Sequence, residues 1–193
     1  MTTTAFLFPS TVTQVTVPNE ITGIPSIDWT GLEYISNTGS YAVSKRPLYT
    51  ISGLWMEKFL SNTSQIWLTG FNITANDNQL TGIEFQLHIQ RAARIEDLLI
   101  QLTLNGELIG DNQASWVNPV QSDMYTGDFT EPLNPIGDYN IYGGPTNLWG
   151  TTLSNVDVTD PSFGVVISFK SNTTYPHSDI AYVDQVAVRT TYA

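Results

Sequence analysis

Residues 82–91 read GIEFQLHIQR. Ile83, Phe85, Leu87 and Ile89 fall on one parity, and Glu84, Gln86, His88 and Gln90 on the other. A period of two predicts a strand with one face on a core and the other toward polar surroundings, as in an antiparallel sheet. A helix would instead put Ile83 and Phe85 on different faces. The next apolar run, Asp97–Leu104 (DLLIQLTL), alternates in the same way, with Leu98, Ile100, Leu102 and Leu104 sharing a face. Asn105-Gly106 follows, and then Glu107–Ile109. Asn-Gly between apolar runs is a strong hairpin signal, because both positions of the turn need positive φ.

Working outward, Gln65–Phe71 (QIWLTGF), Phe163–Phe169 (FGVVISF) and Ile180–Tyr192 read as further strands. Thr11–Val17 (TVTQVTV) is also strand-like, and short strands fit Leu32–Ile35 and Tyr41–Val43. Residues 53–61 (GLWMEKFLS) are the best helical stretch, although one or two turns is all they allow and strand plus turn fits equally. Many strands without a long helix predict an all-β fold: an antiparallel, jelly-roll-like β-sandwich. Residues 21–193 are expected to form this single domain, and residues 1–20 an N-terminal arm or edge strand. Residues 111–147 form a long irregular excursion rich in Pro, Gly, Asn and Asp. Their many aromatic residues argue for a structured excursion and against disorder.

Charge narrows the function classes. Of 193 residues 13% are charged, and 18 acidic residues against 7 basic ones give a formal net charge of −11. The basic residues form no run longer than Lys45-Arg46. Such a chain is repelled by phosphate backbones and anionic bilayers, so neither nucleic acid nor membrane is an expected partner. There is no cysteine, hence no disulfide, thiolate metal site or thiol nucleophile. The N-terminus lacks a basic start and a long apolar run, so it is not read as a signal peptide.

Each candidate for chemistry has a plainer structural reading. His88 lies on the polar face of its strand and His177 follows Pro176 in a turn; both read as surface histidines, with no paired-His metal motif and no Gly-x-Ser-x-Gly elbow. Glu84 with Glu96 or Asp97 could project from one face of neighbouring strands, as a glycosidase pair would, but solvated sheet faces account for them. Asp157 and Asp160 read as turn residues, and the set completed by Asp179 and Asp184 lacks a calcium-loop pattern. Asp184 interrupts an apolar face and is read as a structural acceptor. No catalytic residue, metal or cofactor is assigned.

The stretch YGGPTNLWGTT (142–152) has glycines but no following helix or lysine, so it is not read as a phosphate loop. It is read as a tight turn at Gly143-Gly144-Pro145, with Trp149 plugging a sheet edge and Gly150 allowing close packing. Trp67 and Trp149 are assigned to the core. The candidate partner-binding residues are Phe6 and Phe8 in the arm and Trp116, Tyr125, Phe129, Tyr139 and Tyr142 in the excursion. Trp55, with Trp67, Trp116, Trp149 and the nine tyrosines, could instead form a sugar platform.

Several short motifs line up from about Gly70 onward. Gly82-Ile83-Glu84-Phe85 opens a strand that Gln90-Arg91-Ala92 closes, and Tyr142-Gly143-Gly144 precedes Leu148-Trp149-Gly150-Thr151-Thr152. Phe163-Gly164-Val165, Ala181–Val186 and Thr191-Tyr192 follow. This order resembles small β-rich virion proteins of tailed bacteriophages. The resemblance implies a non-enzymatic jelly-roll subunit, made in the bacterial host cytoplasm and placed on the outer surface of the virion. Its expected role is a capsid decoration or cement protein that bridges neighbouring capsid subunits, with partners among capsid or tail proteins. A homo-oligomer is expected, a trimer first. The alternative is a tail or fibre component that binds a carbohydrate receptor through residues 111–149. Gly143, Gly144, Trp149, Gly150, Gly164 and Asp184 form the structural signature.

Overall fold

The computed structural model describes residues 1–17, 26, 28–32, 35, 42–45, 62–91, 95–114, 139–171 and 180–193. Its strands are β1 (Thr2–Thr3), β2 (Thr11–Val15), β3 (Ala42–Lys45), β4 (Gln65–Thr69), β5 (Leu80–Arg91), β6 (Ile95–Leu104), β7 (Glu107–Ile109), β8 (Tyr139–Gly144), β9 (Gly164–Ser171) and β10 (Ile180–Tyr192). A short helix, α1, spans Asn155–Thr159. Sheet I has the order β1-β10-β5-β8, with β3 also paired to β10. Sheet II has the order β2-β4-β9-β6-β7. All pairs are antiparallel, and the chain is the all-β sandwich its alternation predicts.

Four pairings nest inside one another: β6 with β7, β5 with β8, β4 with β9, and β3 with β10. A chain paired in that order is one long hairpin with its apex at Asn105-Gly106. Rolling the hairpin sets β10 against β5 and β9 against β6, which divides it into two sheets. This is the winding of a jelly roll. Asn105 and Gly106 have φ of 54° and 80°, the two left-handed positions that the apex turn needs.

The core lies between the sheets. Sheet I contributes Ile83, Phe85, Leu87, Val183, Val186 and Val188, and sheet II contributes Ile66, Leu68, Ile100, Leu102, Val165, Ile167 and Phe169, all fully buried. Val183 and Val186 both point inward although they are three residues apart, because a register shift falls between them. Asp184 lies between them in sequence, at that irregularity of the backbone.

Several expectations are corrected. Trp67 is half-buried on the outer face of sheet II, because Ile66 and Leu68 take the inward parity of β4. His88 is no surface histidine: it is 6% exposed, on a strand with neighbours on both sides. Asp97 is buried too, since a register shift between Asp97 and Leu99 re-phases the start of β6 and leaves Leu98 half-buried. Glu84 and Asp97 do not share a face, because β5 and β6 belong to different sheets. The end of the irregular 111–147 stretch is strand β8. Residues 53–61 and 115–138 lie outside the described residues.

YGGPTNLWG closes one end of the sandwich as a turn and plug. Asn147 N–H donates to the Gly144 carbonyl across the turn (3.1 Å). Trp149 is fully buried, and its Nε1–H donates to the Ile83 carbonyl (3.0 Å). The Trp149 backbone is left-handed (φ 59°), held by the Asn147 side chain, which accepts from Trp149 N–H (2.7 Å), and by Asp111 N–H, which donates to the Trp149 carbonyl. Gly143 also has positive φ (79°), and a Cβ there would overlap the Ile83 carbonyl and Trp149 Nε1. Gly143→Ala is expected to lower unfolding free energy by at least ~1 kcal/mol, read as a fall in urea midpoint with unchanged m-value.

Candidate interaction surface

The N-terminal segment runs along its own chain as a strap across both sheets. Thr2 and Thr3 pair with Tyr192 and Thr191, and Leu7 bridges Val188. Leu7 N–H donates to the Val188 carbonyl (2.8 Å) and Val188 N–H to the Leu7 carbonyl (2.9 Å). Threonine hydroxyls add a second layer: Thr3 Oγ1 meets Thr191 Oγ1 (3.1 Å), and Thr190 N–H donates to Thr4 Oγ1 (3.0 Å). Pro9 is buried at the crossing, and Ser10 donates to the Gly70 carbonyl through both N–H (3.1 Å) and Oγ (2.9 Å). β2 then joins the edge of sheet II through β4.

Under the strap lies an ion pair. Glu84 and Arg189 are direct cross-strand partners, and Arg189 Nε and Nη2 donate to the two Glu84 carboxylate oxygens at 2.8 Å each. The Phe6 ring lies 4.5 Å from the guanidinium carbon. Glu84 is 7% exposed, so the solvated carboxylate expected at this position is a covered one. The hydrogen bonds to Glu84 raise the Arg189 pKa further above its ordinary value, against the smaller opposing effect of burial. The pairing and the ring contact account for Phe6 as packing on Arg189, while Phe8 is 37% exposed.

Three other polar clusters are structural in geometry. Tyr142, a candidate surface aromatic, is 5% exposed; it faces the core opposite Phe85, and its hydroxyl donates to Asp97 Oδ2 (2.7 Å) across the sandwich. Ser64 Oγ donates to Asp28 Oδ1 (2.6 Å) and lies 2.8 Å from Ser26 Oγ, with Trp29 Nε1–H donating to the Ser64 carbonyl (2.9 Å). At α1, Ser154 and Asp157 form a reciprocal capping box. The Ser154 hydroxyl and N–H donate to Asp157 Oδ2 at 2.6 and 2.7 Å, and these bonds hold the Asp157 carboxyl below the usual carboxylate range. Asp160 is held low likewise by the Ser162 hydroxyl and N–H. Sequence reading placed both aspartates in turns; the Ser154-x-x-Asp157 spacing was the signal for the helix start.

The candidate binding residues are not brought together. Phe6 and Phe8 lie on the strap, Tyr142 is in the core, and Tyr139 is described by its backbone in β8, opposite His88. Trp116, Tyr125 and Phe129, with Trp55 and His177, lie outside the described residues. The signature residues Gly143, Gly144, Trp149 and Gly150 do cluster at one end, whereas Gly164 is tight against the Leu68 carbonyl between β9 and β4. Among the described residues no group of three or more His, Asp or Glu side chains is placed to hold a metal ion, and no helix is long and apolar enough to cross a membrane.

The outer face of sheet II is not apparent in the sequence, and it is only partly open: Val166 and Thr103 on it are fully buried, while Thr11, Thr13 and Leu108 are exposed. Thr13, Trp67, Val166 and Gln101 form one cross-strand row, and Thr11, Thr69, Gly164, Thr103 and Leu108 the next. Neither row carries a charge. Trp67 Nε1–H donates to Gln65 Oε1 (3.1 Å), and Gln101 Nε2 donates to the Gly110 carbonyl (2.6 Å). The signal for this face was the second parity of β4, hidden because Trp67 makes the strand apolar on both sides. Comparison with protein-family models, curated proteins and solved structures gave no match.

Two measurements check this account. Tyr142→Phe removes the donor to a buried carboxylate and is expected to cost about 1–3 kcal/mol in denaturant unfolding. The Asp157 pKa is lower folded than unfolded, so its contribution to stability is present above the unfolded value of about 4 and fades as pH falls through the folded one. Ser154→Ala is expected to cost about 1 kcal/mol at pH 7, a difference that shrinks as pH falls through the lowered Asp157 pKa, followed by thermal unfolding across pH.

Proposed function

We propose that this chain is a non-enzymatic structural subunit of a bacteriophage virion: a decoration or cement protein that binds the outer capsid surface and bridges neighbouring subunits. The observation that carries the reading is the strap on a jelly roll. Met1–Val15 reaches the edges of both sheets and is held by backbone pairing and threonine hydroxyls. Contacts of that kind suit an arm that also grips a neighbour's strand edge. A net charge of −11 favours the outside of a shell over contact with packaged DNA. Low charge density with many hydroxyl and amide side chains suits wet, hydrogen-bonded interfaces repeated many times over a shell.

Cryo-electron microscopy of particles from the phage that carries the gene tests the reading. Density for the sandwich in regular copies between capsomers is expected; density confined to the tail would move the chain to the receptor-binding alternative. Deleting residues 2–8 is expected to reduce occupancy on particles ~10-fold or more while the purified chain keeps its β-sheet circular dichroism. Unchanged occupancy would remove the strap from the interface.

A further inference from the structure

The sandwich guards its sheet edges unequally. The outer edge of β10 is taken by β1, Leu7 and β3. β7 has three residues and carries Glu107, and β8 ends in Gly143, Gly144 and a turn. β2 differs: its five residues, TVTQV, hold no charge, proline or bulge, and they keep unbroken register with β4 from Thr11 to Val15. Among the described residues nothing pairs with its other side. Edge strands are ordinarily shortened, charged or kinked to stop them pairing with other chains, and β2 has none of these devices.

We propose that β2 is a self-pairing edge: the β2 strands of two copies of this chain join antiparallel across a two-fold axis, and sheet II runs on through the dimer. The strand suits its own reverse. Centred on Thr13, the pairing sets Thr13 against Thr13, Val12 against Gln14 and Thr11 against Val15, with β-branched residues at most positions and no like charges facing. Charge points to the same place. Two chains of net charge −11 repel each other, and least along β2, whose five residues carry no charge; the Asp28 carboxylate, which accepts from Thr16 Oγ1 (3.2 Å), lies past the end of the strand. A five-residue strand pair is smaller than a standard interface, so the contact is concentration-dependent in solution and is reinforced where copies are arrayed. It is isologous and closes at two copies. The proposal stands apart from the virion reading, because it concerns the purified chain.

Sedimentation velocity on the full chain, from micromolar to millimolar concentration, tests it. The wild type is expected to shift from monomer to dimer. Thr13 is exposed, so Thr13→Asp and Thr13→Lys should each keep the wild-type circular dichroism yet stay monomeric, because like charges then meet at the axis. Mixing the two variants should restore the dimer. The proposal is overturned by a wild type that stays monomeric at millimolar concentration, by a trimeric mass, by a dimer that survives both substitutions, or by a mixture that fails to reassociate.

Discussion

The ladder between β5 and β10 is the constraint on which the rest of the structure depends. It runs from Ala181 opposite Arg91 to Tyr192 opposite Leu80, and every other strand of sheet I hangs on one of its two members. Its inward parity supplies most of sheet I's share of the core, and its outward parity supplies the Glu84–Arg189 pair on which Phe6 rests. The partners are about a hundred residues apart in sequence, so the ladder closes a long loop before it gains anything. Pairing of that kind makes for slow folding, and the local hairpin at Asn105-Gly106 is the natural place for it to begin.

The two sheets are also joined by polar contacts through the interior. Tyr142 on β8 reaches Asp97 on β6, and Trp149 ties the turn after β8 to β5 while Asp111, beyond β7, ties to Trp149. Each demands one relative placement of the sheets, where aliphatic packing alone would accept several. The re-phasing at Asp97 and the left-handed backbone at Trp149 are local departures that make these contacts possible.

What was legible in the sequence follows from this. The alternation of 82–91 and the Asn-Gly apex are local properties, and they carry the fold class. The YGG–LWG stretch could be read as turn and plug because two glycines and one large ring leave few other packings. The parity of QIWLT could not be read, since three consecutive apolar residues satisfy either face and only pairing with β9 decides. A bulge is equally silent: nothing in IEDLLIQL announces that Asp97 turns inward, and nothing in LHIQ tells that His88 is covered. The uncharged face of sheet II is assembled from β2, β4, β9 and β6, so no window along the chain contains it.

The wound hairpin sorts the connections between its strands to two opposite ends. Lys45, Gln65, Arg91, Ile95, Ser171 and Ile180 are brought to one end by the registers of β3, β5, β6, β9 and β10. The Asn105-Gly106 apex, α1 and Trp149 belong to the other, where the connections are held by hydrogen bonds of their own. Strand registers are set by pairing, so a change in the length of a connection leaving the first end, such as the one between β7 and β8, need not move any of them. Such a subunit has latitude to diversify at one pole while its scaffold stays the same, which is a form of evolvability built into the winding itself.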